Sequence, residues 1–211
     1  SKLWTARKLV ENPGVVKEVH KAYFRAGADC GITCSYQATI PGLTAEGLTP
    51  AESEAVIRNS VEVFLQARDE WWREGGEAAG RRYPLCLAAC GPYGAYLADG
   101  SEYRGRYGVS DAVLREFHLR RAEILWEAGA DLLLFETAPS LPEALIEAES
   151  AEELGADYWI SFCCRDGETT HEGQRLEDAA RVLSQGHPRL RMLGVNCTPP
   201  QFMPDCIASL K

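Results

Sequence analysis

Apolar and polar positions along this chain switch between two periods, and the switch repeats. After Asn12-Pro13, an N-cap and first-turn pair, Val16, Val19, His20, Tyr23 and Phe24 recur at helical spacing. The helix runs out at Ala26-Gly27, and Ala28-Asp29 leads into Cys30-Gly31-Ile32-Thr33-Cys34, read as a buried strand. The same punctuation returns where Ala128-Gly129-Ala130-Asp131 precedes Leu132-Leu133-Leu134-Phe135. It returns again where Leu154-Gly155-Ala156-Asp157 precedes Tyr158-Trp159-Ile160-Ser161-Phe162. Each glycine is placed as a left-handed C-cap that releases the chain into a strand. The intervals are unequal, so these are repeated structural units and not a sequence repeat. Two more strands are expected at residues 84–90 and 190–196. Helices are expected over about 50–73, 111–127, 141–153 and 176–183, and Ser140 with Glu143 has capping-box spacing.

Strands that are apolar on both faces and joined by helices predict an α/β protein with a parallel sheet covered on both sides. A doubly wound sheet and a (β/α)8 TIM barrel both fit. Two features favour the barrel. No glycine-rich phosphate fingerprint follows any strand. The long polar segments 35–49, 91–110 and 165–175 all follow strands, on the face where a barrel builds its active site. About five strands are found, whereas a closed barrel has eight in roughly 250 residues. The expectation is one partial barrel domain over residues 1–211, covering about the second to sixth strands, with the first and last two outside the chain.

Composition narrows the function classes. With 45% hydrophobic and 25% charged residues, the 211-residue chain reads as a soluble globular protein with a substantial core. The net charge of -9 carries no basic cluster, which argues against nucleic-acid binding. No apolar run is long enough to cross a bilayer and no signal-peptide pattern opens the chain, so no membrane role is expected. The eight cysteines sit mostly in or beside apolar runs, where a thiol behaves as a small hydrophobe. A reduced, cytoplasmic protein is therefore expected. Nothing in the composition sets an oligomeric state.

Residues at strand C-terminal ends would converge on one mouth. They are Ser35-Tyr36-Gln37, Gly91-Pro92-Tyr93, Glu136-Thr137, Ser161 with Cys163, and Asn196-Cys197. Glu136 follows an apolar run, so it is either a solvated rim residue or functional. Cys197, taken by itself, reads as core filler or as a metal ligand. Neighbours in a strand face opposite ways, so Cys163 and Cys164 read as filler. His20 and His118 lie in helices, as packing or surface residues, and His171 lies in a loop that can reach the mouth. No Ser-His-Asp set and no carboxylate pair follows from spacing.

A resemblance adds the chemistry. Residues 90–105, Cys-Gly-Pro-Tyr-Gly-Ala-Tyr-Leu-Ala-Asp-Gly-Ser-Glu-Tyr-Arg-Gly, closely resemble the homocysteine S-methyltransferases that use S-methylmethionine. Residues 28–39, Phe135-Glu136-Thr137 and Gly194-Val195-Asn196-Cys197 resemble theirs too, in the same order along the chain. The resemblance implies a (β/α)8 barrel that holds Zn2+ through three thiolates, of which Cys197 matches one. The Gly-Gly-Cys-Cys motif that carries the other two, and the family's Asp-Gly-Gly on the first strand, do not occur in this sequence. Glu136 matches the carboxylate that receives the amino group of homocysteine. Asn196, Tyr36, Gln37, Tyr93 and Ser161 are expected as further substrate-pocket residues. The implied reaction moves a methyl group from a sulfonium, S-methylmethionine or S-adenosylmethionine, to the zinc-bound thiolate of homocysteine, giving methionine. Alternatives are a thiol or selenol methyltransferase with another acceptor, and an inactive barrel piece serving as a binding module.

Overall fold

The structure, a computed structural model, describes residues 6–211; the first five residues of the opening polar stretch lie outside the described residues. The chain divides into two compact units, the first running up to Ala89 and including Ile124–Leu132, the second comprising Cys90–Glu123 and Leu133–Lys211.

In the first unit, α1 (Ala6–Glu11) and α2 (Pro13–Arg25) precede the short strand β1 (Cys30–Ile32), followed by α3 (Ile40–Ala45), α4 (Pro50–Trp71) and β2 (Leu85–Cys90). Asn12 caps α2 by accepting from the Val15 amide, with Pro13 in the first turn. Thr49 and Glu52 close a complete capping box on α4. That helix continues as a π turn over Trp72–Gly76. β1 pairs with β2 in parallel, Gly31 opposite Cys86. The core is aromatic: Phe24 meets Phe64 edge-on at 5.4 Å and lies 5.5 Å from Trp71. The start of β2 is fixed by Asp131, whose Oδ2 accepts from the Cys86 amide at 2.7 Å and from Arg68 at 2.5 Å.

In the second unit, α5 (Tyr93–Leu97) and α6 (Asp111–Glu127, its last turn in the first unit) precede β3 (Leu132–Ala138). Then follow α7 (Leu141–Leu154), β4 (Tyr158–Phe162), α8 (Leu176–Gly186), β5 (Leu190–Val195) and α9 (Met203–Ser209). β4 pairs in parallel with β3 on one side and β5 on the other. Every strand is therefore parallel to its partner, and the α/β class expected from the alternation holds. Gly155, at φ +66°, ends α7 in the left-handed C-cap read from the sequence.

Three local expectations are corrected. The polar segment after β2 folds into α5 and a 3-10 turn at Ser101–Tyr103, which its composition did not signal. β1 and β5 are not buried on both faces, since Ile32 and Met192 are about half exposed. Each of these two strands pairs on one side among the described residues. β3 runs past Phe135 to Ala138, with a register shift between Glu136 and Ala138.

Candidate active site

The C-terminal ends of β3, β4 and β5 meet at one side chain. Asn196 follows β5, its amide held by Phe162 O at 2.9 Å. Its Oδ1 accepts from the Thr137 amide and from Ser161 Oγ, both at 3.0 Å. Its Nδ2 donates to Thr137 Oγ1 at 3.0 Å, to Glu136 Oε2 at 3.4 Å and to Cys197 Sγ at 3.6 Å. One amide thus links carboxylate, two hydroxyls and thiol across three strands. Parallel strands place their C-terminal ends together, which is why residues 25 to 60 positions apart in the chain can converge.

The backbone here is strained. Thr137 sits at φ +65° and Cys197 at φ +47°. A β-branched residue in the left-handed region is an outlier that persists only where its surroundings hold it. At Thr137 the Asn196 side chain does so, gripping both its amide and its hydroxyl. The twist also explains the register shift in β3. It turns the Thr137 hydroxyl to Cys197, to whose Sγ it donates at 3.6 Å.

Cys197 is exposed and accepts from two donors, the Thr137 hydroxyl and the Asn196 amide. Two polar hydrogens directed at one sulfur orient it, as outer donors orient metal-binding side chains. Glu136 is half-buried, and burial pushes its pKa up to about 7. A carboxylate in that state favours a ligand that brings a positive charge.

Tyr103 is held from several directions. Its ring meets His171 edge-on, centroids 5.6 Å apart. The preceding carbonyl, Glu102 O, accepts from Cys163 Sγ at 3.3 Å. The following Gly105, at φ +69°, lies so close to Glu172 that a Cβ would come within 2.6 Å of its carboxylate. Glu172 also accepts from the Arg106 amide at 2.8 Å. Gly94 is required by contact: a Cβ there would stand 2.3 Å from the Glu102 backbone nitrogen, so α5 and the 3-10 turn touch backbone to backbone.

The other end of this loop is anchored in a buried polar core. Glu143 on α7 accepts from the Tyr93 amide (2.7 Å), the Tyr107 hydroxyl (2.7 Å) and His118 Nε2 (3.0 Å). Arg121 donates to Gly91 O at 2.5 Å and lies 3.3 Å from His118 Nδ1. His118 is therefore fully buried and is not a surface residue of its helix. Burial holds it below its ordinary pKa. His118, Glu143 and Glu147 stand close enough to share a cation. Both Glu143 oxygens already have donors, however, and Arg121 occupies the charge-compensating position. This core acts as a hydrogen-bonded anchor for the loop after β2.

Of the expected pocket residues, the structure brings together Glu136, Ser161, Asn196 and Cys197. Tyr93 sits in an aromatic cluster with Tyr96, Tyr107 and Phe117. Tyr36 is half-buried and Gln37 is buried, both in the first unit. Thr137, expected at the mouth beside Glu136, joins the site through its amide and its hydroxyl.

The site accepts a zinc ligand set only in part. Cys197 offers one hydrogen-bonded sulfur, but among the described residues it belongs to no group of three His, Cys or carboxylate ligands. A catalytic zinc takes three protein ligands, so these residues alone do not hold the ion.

The family is decided by comparison. The family model described as Homocysteine S-methyltransferase matches residues 1–211. The chain belongs to the homocysteine S-methyltransferase family. A homocysteine S-methyltransferase of Bacillus subtilis is 47% identical over 210 residues, covering 99% of this chain and 66% of its own length. Homocysteine S-methyltransferase 1 of Arabidopsis thaliana is 44% identical, over 97% of this chain and 64% of its own length. The crystal structure of the Escherichia coli homocysteine methyltransferase in its metallated form matches with a TM-score of 0.91 at 43% identity. That match covers 100% of this chain and 72% of the Escherichia coli protein. The chain thus spans just under two thirds of the length of these two curated relatives. No helix among its described residues is long and apolar enough to cross a membrane.

Proposed function

We propose that this chain carries the homocysteine-binding part of a homocysteine S-methyltransferase, as five strand-helix units of a (β/α)8 barrel. The observation that carries the reading is the single side chain of Asn196, which ties Glu136, Thr137, Ser161 and Cys197 into one polar mouth. Glu136 receives the substrate ammonium, and the Asn196 amide keeps that carboxylate aimed. Cys197 would supply one thiolate to a Zn2+ ion, which needs two further protein ligands to form a catalytic site. Zinc, when bound, keeps an acceptor thiol ionised at neutral pH. The donors on Cys197 from Thr137 and Asn196 orient its sulfur, and the strained Thr137 backbone fixes the direction of one of them.

The reaction needs no general base in its transfer step. The acceptor thiolate forms a new carbon-sulfur bond to the methyl carbon of a sulfonium, S-methylmethionine or S-adenosylmethionine. The old methyl-sulfur bond breaks, its electron pair stays on the leaving sulfur, and a neutral thioether departs. Charge is cancelled and no proton moves. Alignment of the two sulfurs supplies most of the rate, which agrees with a site rich in positioning bonds and poor in titrating bases. Eight cysteines without a disulfide among the described residues suit a reducing, cytoplasmic setting.

The test is methyl transfer by the complete protein, using methyl-labelled S-methylmethionine and homocysteine, with product identified by mass spectrometry. Labelled methionine in repeated turnovers is expected. Transfer to other thiols or selenols with homocysteine unreactive would overturn the acceptor assignment, and no transfer at all would overturn the reading.

A further inference from the structure

We propose that Cys163 is a positioning residue of the homocysteine site: its buried thiol holds the carbonyl of the left-handed Thr137 and so fixes the bonds that Thr137 makes to Asn196 and Cys197. The inference rests on the reading above for the identity of the ligand.

Thr137 is the strained point of the mouth. It falls in the register shift of β3, between the pairs Glu136–Ser161 and Ala138–Phe162. Its left-handed backbone persists only where its surroundings hold it. Asn196 accepts from its amide at 3.0 Å and donates to its hydroxyl oxygen at 3.0 Å. Its carbonyl is met by Cys163 Sγ at 3.4 Å, while the Cys163 amide donates to the next carbonyl, Ala138 O, at 3.0 Å. One residue after β4 therefore holds two successive carbonyls at the end of β3. Cys163 is itself held, since its own carbonyl accepts from the His171 amide at 3.2 Å. Its thiol is fully buried, and burial raises its pKa, which keeps the S–H proton in place for donation. The sulfur also lies 3.3 Å from Glu102 O, so its single proton serves either carbonyl and links Thr137 to the 3-10 turn after β2.

A cysteine that only filled space would turn its sulfur to carbon atoms, whereas this one meets two backbone carbonyls. With its carbonyl released, Thr137 can relax toward an ordinary φ, which turns its amide from Asn196 and its hydroxyl from Cys197. The Asn196 side chain, which keeps Glu136 aimed, then loses two of its partners. The cost falls on the binding of homocysteine. A thiol is a weak donor, so the effect has the size of one hydrogen bond. Donation and volume are separable at this position. Serine donates but is smaller, and valine fills the space but donates nothing.

The experiment compares the complete protein with its Cys163→Ser, Cys163→Val and Cys163→Ala variants. Two quantities are measured: calorimetric affinity for homocysteine, and hydrogen exchange of the Thr137 amide followed by NMR. Cys163→Val and Cys163→Ala should each weaken homocysteine about fivefold, the scale of one hydrogen bond, and speed Thr137 exchange by about the same factor. Cys163→Ser should stay within about twofold of the unsubstituted protein in both, well inside that scale. The reverse order, with Cys163→Val intact and Cys163→Ser impaired, would overturn the proposal by assigning Cys163 to packing. A change in only one of the two quantities would overturn it as well. Cys163→Ala repeats the comparison without added bulk, should the Val variant not fold. If the unsubstituted protein binds homocysteine and the variants all behave alike, the proposal falls alone. If the unsubstituted protein binds no homocysteine, the parent reading falls with it.

Discussion

Glu136 is the residue whose environment says most about its ligand. Burial lifts its pKa to about 7 in the ligand-free protein, and an ammonium beside it would favour the ionised form. The sign follows: below about pH 7 the carboxyl is protonated, and homocysteine must displace a proton to bind. Affinity for homocysteine is therefore expected to fall as pH drops from 8 to 6, measured by calorimetry. Glu136→Gln should lose roughly ten- to a hundredfold in affinity, from the 1.5–3 kcal/mol of a charged hydrogen bond, and should lack the carboxyl's share of that pH dependence. A Gln variant with the wild-type profile would remove Glu136 from the ammonium site. At this scale the sequence was informative where chemistry and position coincide. Glu136 after an apolar run and Cys197 after Asn196 stood out. Thr137 was placed at the mouth too, but its positive φ was not foreseen, because Asn196, 59 positions away, holds it there and leaves no local trace.

At the scale of elements, the period switches placed the five strands and the long helices, since buried parallel strands and amphipathic helices write different repeats. The capping pairs at Asn12-Pro13 and Ser140-Glu143 marked two helix starts correctly. Loop structure was less legible, because the close approach of Gly94 to Glu102 is a tertiary contact. The sequence left His118 open between packing and surface, and the structure buries it. The available clue was Glu143 and Glu147, two carboxylates one helical turn apart on α7, both buried in the folded chain. These carboxylates are not ornaments of the surface. Glu143 joins α7 to both ends of the loop that carries Tyr103, through the Tyr93 amide and the Tyr107 hydroxyl. Glu143→Ala removes the buried carboxylate that Tyr107 and His118 Nε2 bond to and is expected to destabilise the protein by about 3–5 kcal/mol. Denaturant unfolding measures that loss. Hydrogen exchange should show residues 91–105 opening before the rest of the second unit. Protection of that loop equal to wild type would mean that other contacts hold it.

At the scale of the whole molecule, the family follows from the match over residues 1–211, and the α/β architecture with parallel strands follows from the chain's own pairing. The catalytic reading concentrates on one sulfur. Two donors converge on Cys197, one from β3 and one from the residue that follows β5. The most direct measurement is zinc content and methyl transfer in the complete protein carrying Cys197→Ala, set beside Cys163→Ala, whose buried thiol donates to backbone carbonyls. Cys197→Ala should lose stoichiometric zinc and at least about a thousandfold in turnover, on the scale of at least 4 kcal/mol. Cys163→Ala should keep its metal. Full zinc occupancy with retained turnover in Cys197→Ala would contradict the account.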